Sequence, residues 1–222
     1  MALTLTIANI TKFYNARIVL DDCSFSFEQN KVYALMGPNG SGKSTLLRIC
    51  ALLEAPDRGD VIYHEDGKAL EPDLNLRRRI TLLLPSIGIF NTTVFNNVAY
   101  GLKIRKLKSR EIKEKVEEAL DFVGLLHKKN QNALTLSSGE AKRMGIARAL
   151  VIQPEILFLD EPTAFVDYEN TAAIEDTLID LKEKLNSTII LATHDAQLAK
   201  RIGDVYLFLE KGKLKCEQNL PA

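Results

Sequence analysis

Apolar and polar positions divide the chain into a β-rich first part, a helical middle part and a last part in which strands and helices alternate. Short apolar runs bounded by turn residues predict strands. These strands are predicted at residues 3–8, 19–27, 31–36, 60–64, 79–84, 156–159, 187–192, 205–209 and 213–217. The last two are separated by Lys211-Gly212 and are predicted to form a hairpin.

Residues 92–150 change to a helical period. One amphipathic helix is predicted to begin near Ser109 and to end at Gly124, with an apolar stripe of Ile112, Val116, Ala119, Leu120 and Val123. A later helix is predicted to begin near Asp167, with an inner stripe of Ile174, Leu178, Leu181 and Leu185. The pattern therefore predicts one α/β domain over 1–222, with a core of 1–85 and 151–222 and a helical subdomain inserted at about 86–150.

Charge and cysteine content narrow the function classes. The 29 basic and 29 acidic residues of this 222-residue chain cancel, which argues against the generally basic surface of a nucleic-acid binder, although local patches survive cancellation. The three cysteines have neither metal-ligand spacing nor a disulfide framework, so a reducing cytosol is expected. The N-terminus lacks the pattern of a signal peptide, and no segment has the ~20 apolar residues that span a bilayer. If the protein acts at a membrane, another chain must span it.

The stretch after the predicted strand 31–36 carries the strongest chemical signal. Gly37 is followed by four residues and then by Gly42-Lys43-Ser44, the phosphate-loop pattern of nucleotide-binding proteins. Glycines let backbone N–H groups approach phosphate oxygens, and Lys43 supplies a mobile positive charge for the β- and γ-phosphates. Ser44 offers a hydroxyl to Mg²⁺, and a helix predicted at 45–53 adds its N-terminus.

Two adjacent acids, Asp160 and Glu161, end the predicted strand 156–159. Ligands of open α/β sheets bind at such carboxyl ends. Asp160 is therefore predicted to hold Mg²⁺ through water, and Glu161 to accept a proton from the water that attacks the γ-phosphate. Adjacent acids are also common in ordinary turns, but the phosphate loop favours the catalytic interpretation.

Two further segments allow two interpretations each. The sequence Leu136-Ser137-Ser138-Gly139-Glu140 precedes a helix and could bind an anion, or it could simply cap that helix. Tyr14, placed in a polar turn around Asn15, could stack on an adenine face or could serve packing alone.

Taken together and in this order, these motifs resemble the ATP-binding subunit of an ABC transporter over essentially the whole chain. The resemblance rests on the phosphate loop, the signature-like segment 136–140, Asp160-Glu161, Asp167 and His194. It implies a P-loop three-layer α/β fold with an antiparallel β edge and an inserted helical subdomain. It also implies ATP and Mg²⁺ as cofactors and a head-to-tail dimer with each ATP between two copies.

The resemblance assigns roles residue by residue. Glu161, His194 and Lys43 would be catalytic, with His194 sensing the γ-phosphate within its own copy and Ser137 and Gly139 touching it from the other copy. The nucleotide would be bound by Tyr14, Gly37, Pro38, Asn39, Gly40, Ser41, Gly42, Lys43, Ser44, Thr45, Ser137, Ser138, Gly139, Asp160 and Asp167. Ser44 and Asp160 would hold the metal.

Two positions depart from the family pattern. Ser138 stands where family members usually have glycine, so the backbone there is less free. Pro85 stands where the family's glutamine loop should place a glutamine that ligands Mg²⁺ and links the site to the membrane partner. Proline can do neither in the same way. We hypothesise that water or Ser86 completes the Mg²⁺ shell and that hydrolysis is slow without the partner.

The segment 86–105 resembles the part that meets a transporter's membrane permease, and its phrase Asn-Val-Ala-Tyr-Gly-Leu resembles importers of oxyanions such as tungstate or molybdate, and of polyamines. The resemblance thus implies a subunit on the cytoplasmic face of the membrane that powers import, with a solute-binding protein at one remove. A permease-free ATPase and a nucleotide-dependent regulator with weak hydrolysis are the alternatives. Neither the long coiled coils nor the tandem modules usual in permease-free relatives are found in the sequence.

Overall fold

A computed structural model describes residues 3–164, 166, 168–184 and 187–217. The chain divides into two compact units. The first comprises the described residues within Met1–Leu82, Glu155–Glu161 and Lys184–Ala222, and the second those within Leu83–Pro154 and Pro162–Glu183.

The described residues contain strands that follow the predicted order. They are β1 Leu3–Tyr14, β2 Arg17–Phe27, β3 Val32–Met36, β4 Arg58–Glu65, β5 Lys68–Leu70, β6 Ile80–Leu83, β7 Ile156–Asp160, β8 Thr188–Ala192, β9 Val205–Glu210 and β10 Lys213–Glu217. The helices are α1 Lys43–Cys50, α2 Leu74–Arg77, α3 Val94–Ile104, α4 Ser109–Phe122, α5 Ser138–Leu150, α6 Tyr168–Lys184 and α7 Ala196–Ile202.

The strands form two sheets. One is antiparallel in the order β2-β1-β4-β5, and the other has the order β10-β9-β3-β8-β7-β6. Strand β3 pairs in parallel with β8 and β9, and β7 pairs in parallel with β8. Every residue of β3, β7 and β8 is buried, as expected for parallel strands covered on both faces. Their carboxyl ends carry the residues of the candidate site.

Apolar side chains from both sheets and from helix α1 form the hydrophobic core of the first unit. Its fully buried members include Leu5, Ile10, Leu47, Tyr63 and Phe158. The Tyr63 hydroxyl donates to the Cys50 carbonyl at 2.5 Å, which joins β4 to the end of α1. Removing these apolar side chains from water is the main stabilising contribution to such a core.

The second unit is helical, and helix α4 follows the predicted stripe. Ile112, Val116, Ala119, Leu120 and Val123 are all buried. In α6, Ile174, Leu178 and Leu181 are buried as well, whereas the predicted Leu185 and the predicted start at Asp167 lie outside the described residues. In the part of the chain that the structure describes, no helix combines the length and the hydropathy needed to cross a membrane.

Some predicted boundaries are wrong for local reasons. Strand β1 continues past residue 8 to Tyr14, because a bulge near Asn9, with φ of 54°, interrupts the alternation without ending the pairing. Tyr14 is therefore the last strand residue, and the turn consists of Asn15 and Ala16, both with positive φ. Helix α1 spans Lys43–Cys50 and not 45–53, and elements β5, α2 and α7 were not predicted.

Candidate functional site

The phosphate loop joins the end of β3 to the start of α1. Gly37, Gly40 and Gly42 have φ of 148°, 78° and 108°, which L side chains rarely adopt. At Gly37 a Cβ would also lie 2.2 Å from the backbone oxygen of Leu209. The following Pro38, Asn39 and Gly40 are exposed. The loop backbone thus has a conformation that favours glycine, and part of it is accessible to a ligand.

Helix α1 begins without a side-chain cap. Its N-cap residue, Gly42, contributes no side-chain hydrogen bond, and the first turn contains no acidic residue. The first N–H groups of a helix have no partner within the helix and carry a partial positive charge. Ser41 and Thr45 beside them are buried, and Ser41 Oγ has no hydrogen-bond partner among the described residues. This geometry suits an anion such as a phosphate group.

Lys43 is the buried cation of the loop, with 6% of its side chain exposed. Its Nζ donates to the carbonyl oxygens of Gly37 at 2.7 Å and of Pro38 at 3.3 Å. The same Nζ lies 3.6 Å from Glu161 Oε1. The predicted phosphate-binding lysine and the predicted catalytic glutamate are therefore neighbours.

Asp160 ends β7, fully buried, and accepts a hydrogen bond from Ser44 Oγ at 3.0 Å. Burial raises the pKa of its carboxyl group, and the neighbouring Glu161 acts in the same direction, while the Ser44 hydrogen bond lowers the pKa. The structure thus brings together the two predicted metal ligands. A hydroxyl and a carboxylate oxygen at this distance form a donor pair of the type that Mg²⁺ prefers.

Glu161 has a left-handed backbone with φ of 47°, rare for a residue with a side chain. Its N–H donates to the Ala192 carbonyl at 2.9 Å, which fixes it at the end of β8. Its Oε2 lies 2.9 Å from Nδ1 of His194, whose ring is largely exposed. Glu161 Oε1 is buried and makes no hydrogen bond to any described residue. His194 therefore orients one oxygen, while the other faces Nζ of Lys43 and makes no hydrogen bond to the described residues.

The signature-like segment lies in the second unit, at the start of α5. Ser137 forms a complete capping box with Glu140, since each side chain accepts from the other residue's N–H. Ser138 is the first residue of the helix and does not have the positive φ that would require glycine. Gly139 is packed so closely that a Cβ would lie 2.4 Å from Cβ of Asn170. The predicted Asp167 lies outside the described residues.

Pro85 also lies in the second unit, and its carbonyl oxygen accepts a hydrogen bond from Nζ of Lys142. Lys142 is buried in α5 and was not predicted as a site residue. One signal was present, because Lys142, Ile146 and Ala149 follow the spacing i, i+4, i+7 of a buried helix face. The backbone of the proline segment is thus held by a buried cation.

Tyr14 retains an exposed ring, with 40% of its surface accessible, while its hydroxyl donates to Glu54 Oε1 at 2.5 Å. Glu54 was not predicted as a site residue. Forty positions separate the two residues, and no local spacing in the sequence indicates that they meet.

Comparisons with known proteins identify the family. The sequence profile of the ABC transporter family matches residues 20–164. The tungstate uptake system ATP-binding protein TupC of Peptoclostridium acidaminophilum is 37% identical over 210 residues, covering 95% of this chain and 96% of that protein. The methionine import ATP-binding protein MetN 2 of Bacillus cereus is 39% identical over 93% of this chain, which spans only 63% of that longer protein.

Among solved structures, the ATP-binding cassette MJ0796, determined as a dimer bound to ADP and Pi, matches with a TM-score of 0.85 and 27% identity. The match covers 98% of this chain and all of that one. The predicted P-loop α/β fold is thereby confirmed. The chain belongs to the ABC transporter family, as an ATP-binding subunit that hydrolyses ATP.

Proposed function

We propose that this chain dimerises on ATP and powers the import of a solute through a separate membrane permease. In this proposal residues 1–222 act as one ATPase domain, with 86–150 as its helical subdomain. The observation that carries the catalytic part is the position of Glu161, which lies between Lys43 and His194 with one carboxylate oxygen free of hydrogen bonds to the described residues.

Glu161 is the proposed general base. A base must accept a proton from the attacking water and must keep its orientation while it does so. His194 orients the carboxylate through Oε2, and the bond from the Glu161 N–H to the Ala192 carbonyl fixes its backbone. Lys43 leaves its carbonyl partners for the β- and γ-phosphates, and the glycine-rich backbone and the N-terminus of α1 hold the remaining phosphate oxygens.

Ser44 and Asp160 are the proposed holders of Mg²⁺, with Asp160 acting through water. When bound, the ion would neutralise charge that develops on the phosphate oxygens. The Ser44–Asp160 hydrogen bond holds the two oxygens 3.0 Å apart. Tyr14 is the proposed stacking platform for adenine, because its ring is exposed while its hydroxyl is fixed.

ATP hydrolysis by the Glu161→Gln variant tests this proposal. Glutamine keeps the shape of the side chain but cannot act as the base, so we expect hydrolysis to fall by ~10² to 10⁴-fold with ATP binding retained. The matched control is Glu71→Gln, because Glu71 is an exposed glutamate of the same unit. Normal hydrolysis by Glu161→Gln would rule out the assigned role.

The second copy is proposed to contribute Ser137, Ser138, Gly139 and Asp167 to the γ-phosphate and to the dimer contacts. Ser137 and Ser138 are exposed at the N-terminus of α5, which makes them accessible to such a contact. The Glu161→Gln variant should therefore accumulate as an ATP-bound dimer in analytical ultracentrifugation. A monomer at saturating ATP would contradict this part of the proposal.

The proposed permease surface is the segment 86–105, at the cytoplasmic face of the membrane. Phe90 and Tyr100 stack there with ring centroids 4.6 Å apart, and both remain nearly half exposed. Exposed aromatic residues are typical anchors of protein interfaces. We propose an oxyanion as the solute, supported by the tungstate relative that this chain matches over nearly its full length. A solute-binding protein would contact the permease and not this chain. We propose no nucleic-acid partner.

An affinity pull-down from detergent-solubilised membranes of the source organism tests the partner. We expect a polytopic membrane protein in about equal amount, and loss of that protein with a Phe90→Asp, Tyr100→Asp double variant whose ATPase rate is normal. Recovery of ribosomal or nucleic-acid proteins instead would favour the permease-free ATPase.

A further inference from the structure

Three charged side chains converge around the hydroxyl end of Tyr14. Glu54 Oε1 accepts the Tyr14 hydroxyl at 2.5 Å, and Glu54 Oε2 accepts Nε of Arg48 at 3.2 Å. Nζ of Lys12 lies 3.4 Å from Glu54 Oε1 and 5.7 Å from the centre of the Tyr14 ring. A carboxylate that follows α1 thus fixes an aromatic side chain at the end of β1.

The backbone on either side of this contact is fixed as well. The N–H of Phe13 donates to Asp57 Oδ2 at 2.7 Å, and Nζ of Lys12 donates to the carbonyl oxygen of Ala55 at 2.8 Å. These bonds join the end of β1 to the segment 54–57 at several points. The Tyr14 ring therefore has little freedom to swing about the turn at Asn15.

The surroundings of Glu54 favour its ionised form. Burial alone would raise the pKa of Glu54, but hydrogen bonds from Tyr14, Arg48 and Lys12 outweigh it and lower the pKa below the ordinary value. The side chain is 22% exposed and is bounded by two cations. A hydrogen bond to a charged acceptor is about twice as strong as one between neutral groups, so the hydroxyl is held firmly.

We propose that Glu54 is a positioning residue for the nucleotide base: it holds the Tyr14 hydroxyl so that the ring face is already oriented for stacking when a nucleoside triphosphate binds. This inference rests on the proposed stacking role of Tyr14. Ordering the ring before binding removes an entropy cost that each binding event would otherwise carry. Stacking itself is tolerant of base identity, so the ligand class is any nucleoside triphosphate.

The test compares binding of ATP with binding of inorganic tripolyphosphate, which has no base, by calorimetry on the purified full chain. Glu54→Ala and Tyr14→Phe each remove the hydrogen bond, and we expect each to weaken ATP binding by about 3- to 10-fold. Neither should change tripolyphosphate binding by more than about twofold. Glu54→Gln keeps an acceptor oxygen and should recover part of the loss, while the exposed Glu71→Gln serves as the control.

Combining Glu54→Ala with Tyr14→Phe should weaken ATP binding no more than the stronger single variant, because both remove one bond. Equal losses of ATP and tripolyphosphate binding in Glu54→Ala would overturn the inference, since Glu54 would then act through the phosphate loop. If Glu54→Ala does not fold, Tyr14→Phe and Glu54→Gln make the same comparison. Unchanged ATP binding in Tyr14→Ala would remove the stacking role and this inference together, while leaving the test of Glu161 unaffected.

Discussion

Two glycines of helix α5 differ in what an added methyl group would contact. At Gly139 a Cβ would lie 2.4 Å from Cβ of Asn170, an atom fixed to the backbone of α6. At Gly145 the first atom met, at 2.6 Å, is Cδ1 of Ile87, the far end of a half-buried flexible side chain. We therefore predict that Gly139→Ala destabilises the chain and that Gly145→Ala leaves its stability nearly unchanged.

The magnitudes follow from these contacts. Relieving the Gly139 contact needs a shift of about 1 Å in a helix, and such overpacking costs about 1 to 3 kcal/mol. Replacing glycine by alanine inside a helix returns up to about 1 kcal/mol. This gain is small for Gly139, which lies in the first turn of α5, so Gly139→Ala should lose about 1 to 3 kcal/mol, which for a chain of this size lowers Tm by about 2 to 12 °C. At Gly145 a rotamer change of Ile87 costs about 0.5 to 1.5 kcal/mol, so the two effects nearly cancel.

Thermal unfolding of the two variants and the parent chain under one condition makes the comparison. Both variants add the same methyl group to the same helix, and the gain in helix propensity differs between the first turn at Gly139 and the interior at Gly145 by less than about 1 kcal/mol. Gly139→Ala must melt below Gly145→Ala. If it melts at the same temperature or above, the close approach of Asn170 does not restrict this position and the reasoning fails.

Three further predictions concern buried polar groups. Tyr63→Phe removes the hydroxyl that donates to Cys50 and should cost about 1 kcal/mol in urea unfolding, with an unchanged slope; no loss would mean that the bond adds nothing. Burial raises the pKa of Asp160 in the folded state. Ionisation of this carboxyl group at a pH above its ordinary pKa of 3.8 therefore opposes folding. With a chelator present to remove metal ions, the Tm of Asp160→Asn should therefore be higher than that of the parent chain at pH 7. This difference in Tm should disappear as the pH falls below 3.8. Pro85→Gln supplies a side-chain amide oxygen and keeps the backbone carbonyl that Lys142 contacts. The basal ATPase rate should therefore rise, and its dependence on Mg²⁺ should change. An unchanged rate and an unchanged Mg²⁺ dependence would count against the hypothesis about Pro85.

The fold was predictable where local patterns decide structure. Strands β3, β7 and β8 are continuous apolar runs, and α4 follows a single apolar stripe, so each was predicted to within about two residues. The three-residue β5 has no pattern long enough to detect. The extension of β1 was missed because the bulge at Asn9 breaks the alternation, whereas pairing with β2 and β4 continues on both sides.

The residues of the candidate site were likewise predictable only where a local pattern marks them. The phosphate loop is one short string of residues, so its chemistry is visible in the sequence. The contact of Tyr14 with Glu54 joins positions 40 apart, and that of Lys142 with Pro85 joins positions 57 apart. No periodicity links such pairs, because tertiary packing alone brings them together. Both contacts hold a position that the resemblance to the family had singled out.

On the proposed function, the buried ammonium of Lys43 links phosphate binding to the readiness of Glu161. An exposed lysine would lose its hydration on binding phosphate, but Lys43 has lost most of it on folding. Its partners are two neutral carbonyl oxygens, whereas phosphate oxygens add a direct attraction between opposite charges. Exchanging the carbonyl oxygens for phosphate oxygens as acceptors of Lys43 therefore favours binding of the triphosphate. Because the same ammonium lies 3.6 Å from Glu161 Oε1, its movement toward phosphate would leave that oxygen available to a water molecule.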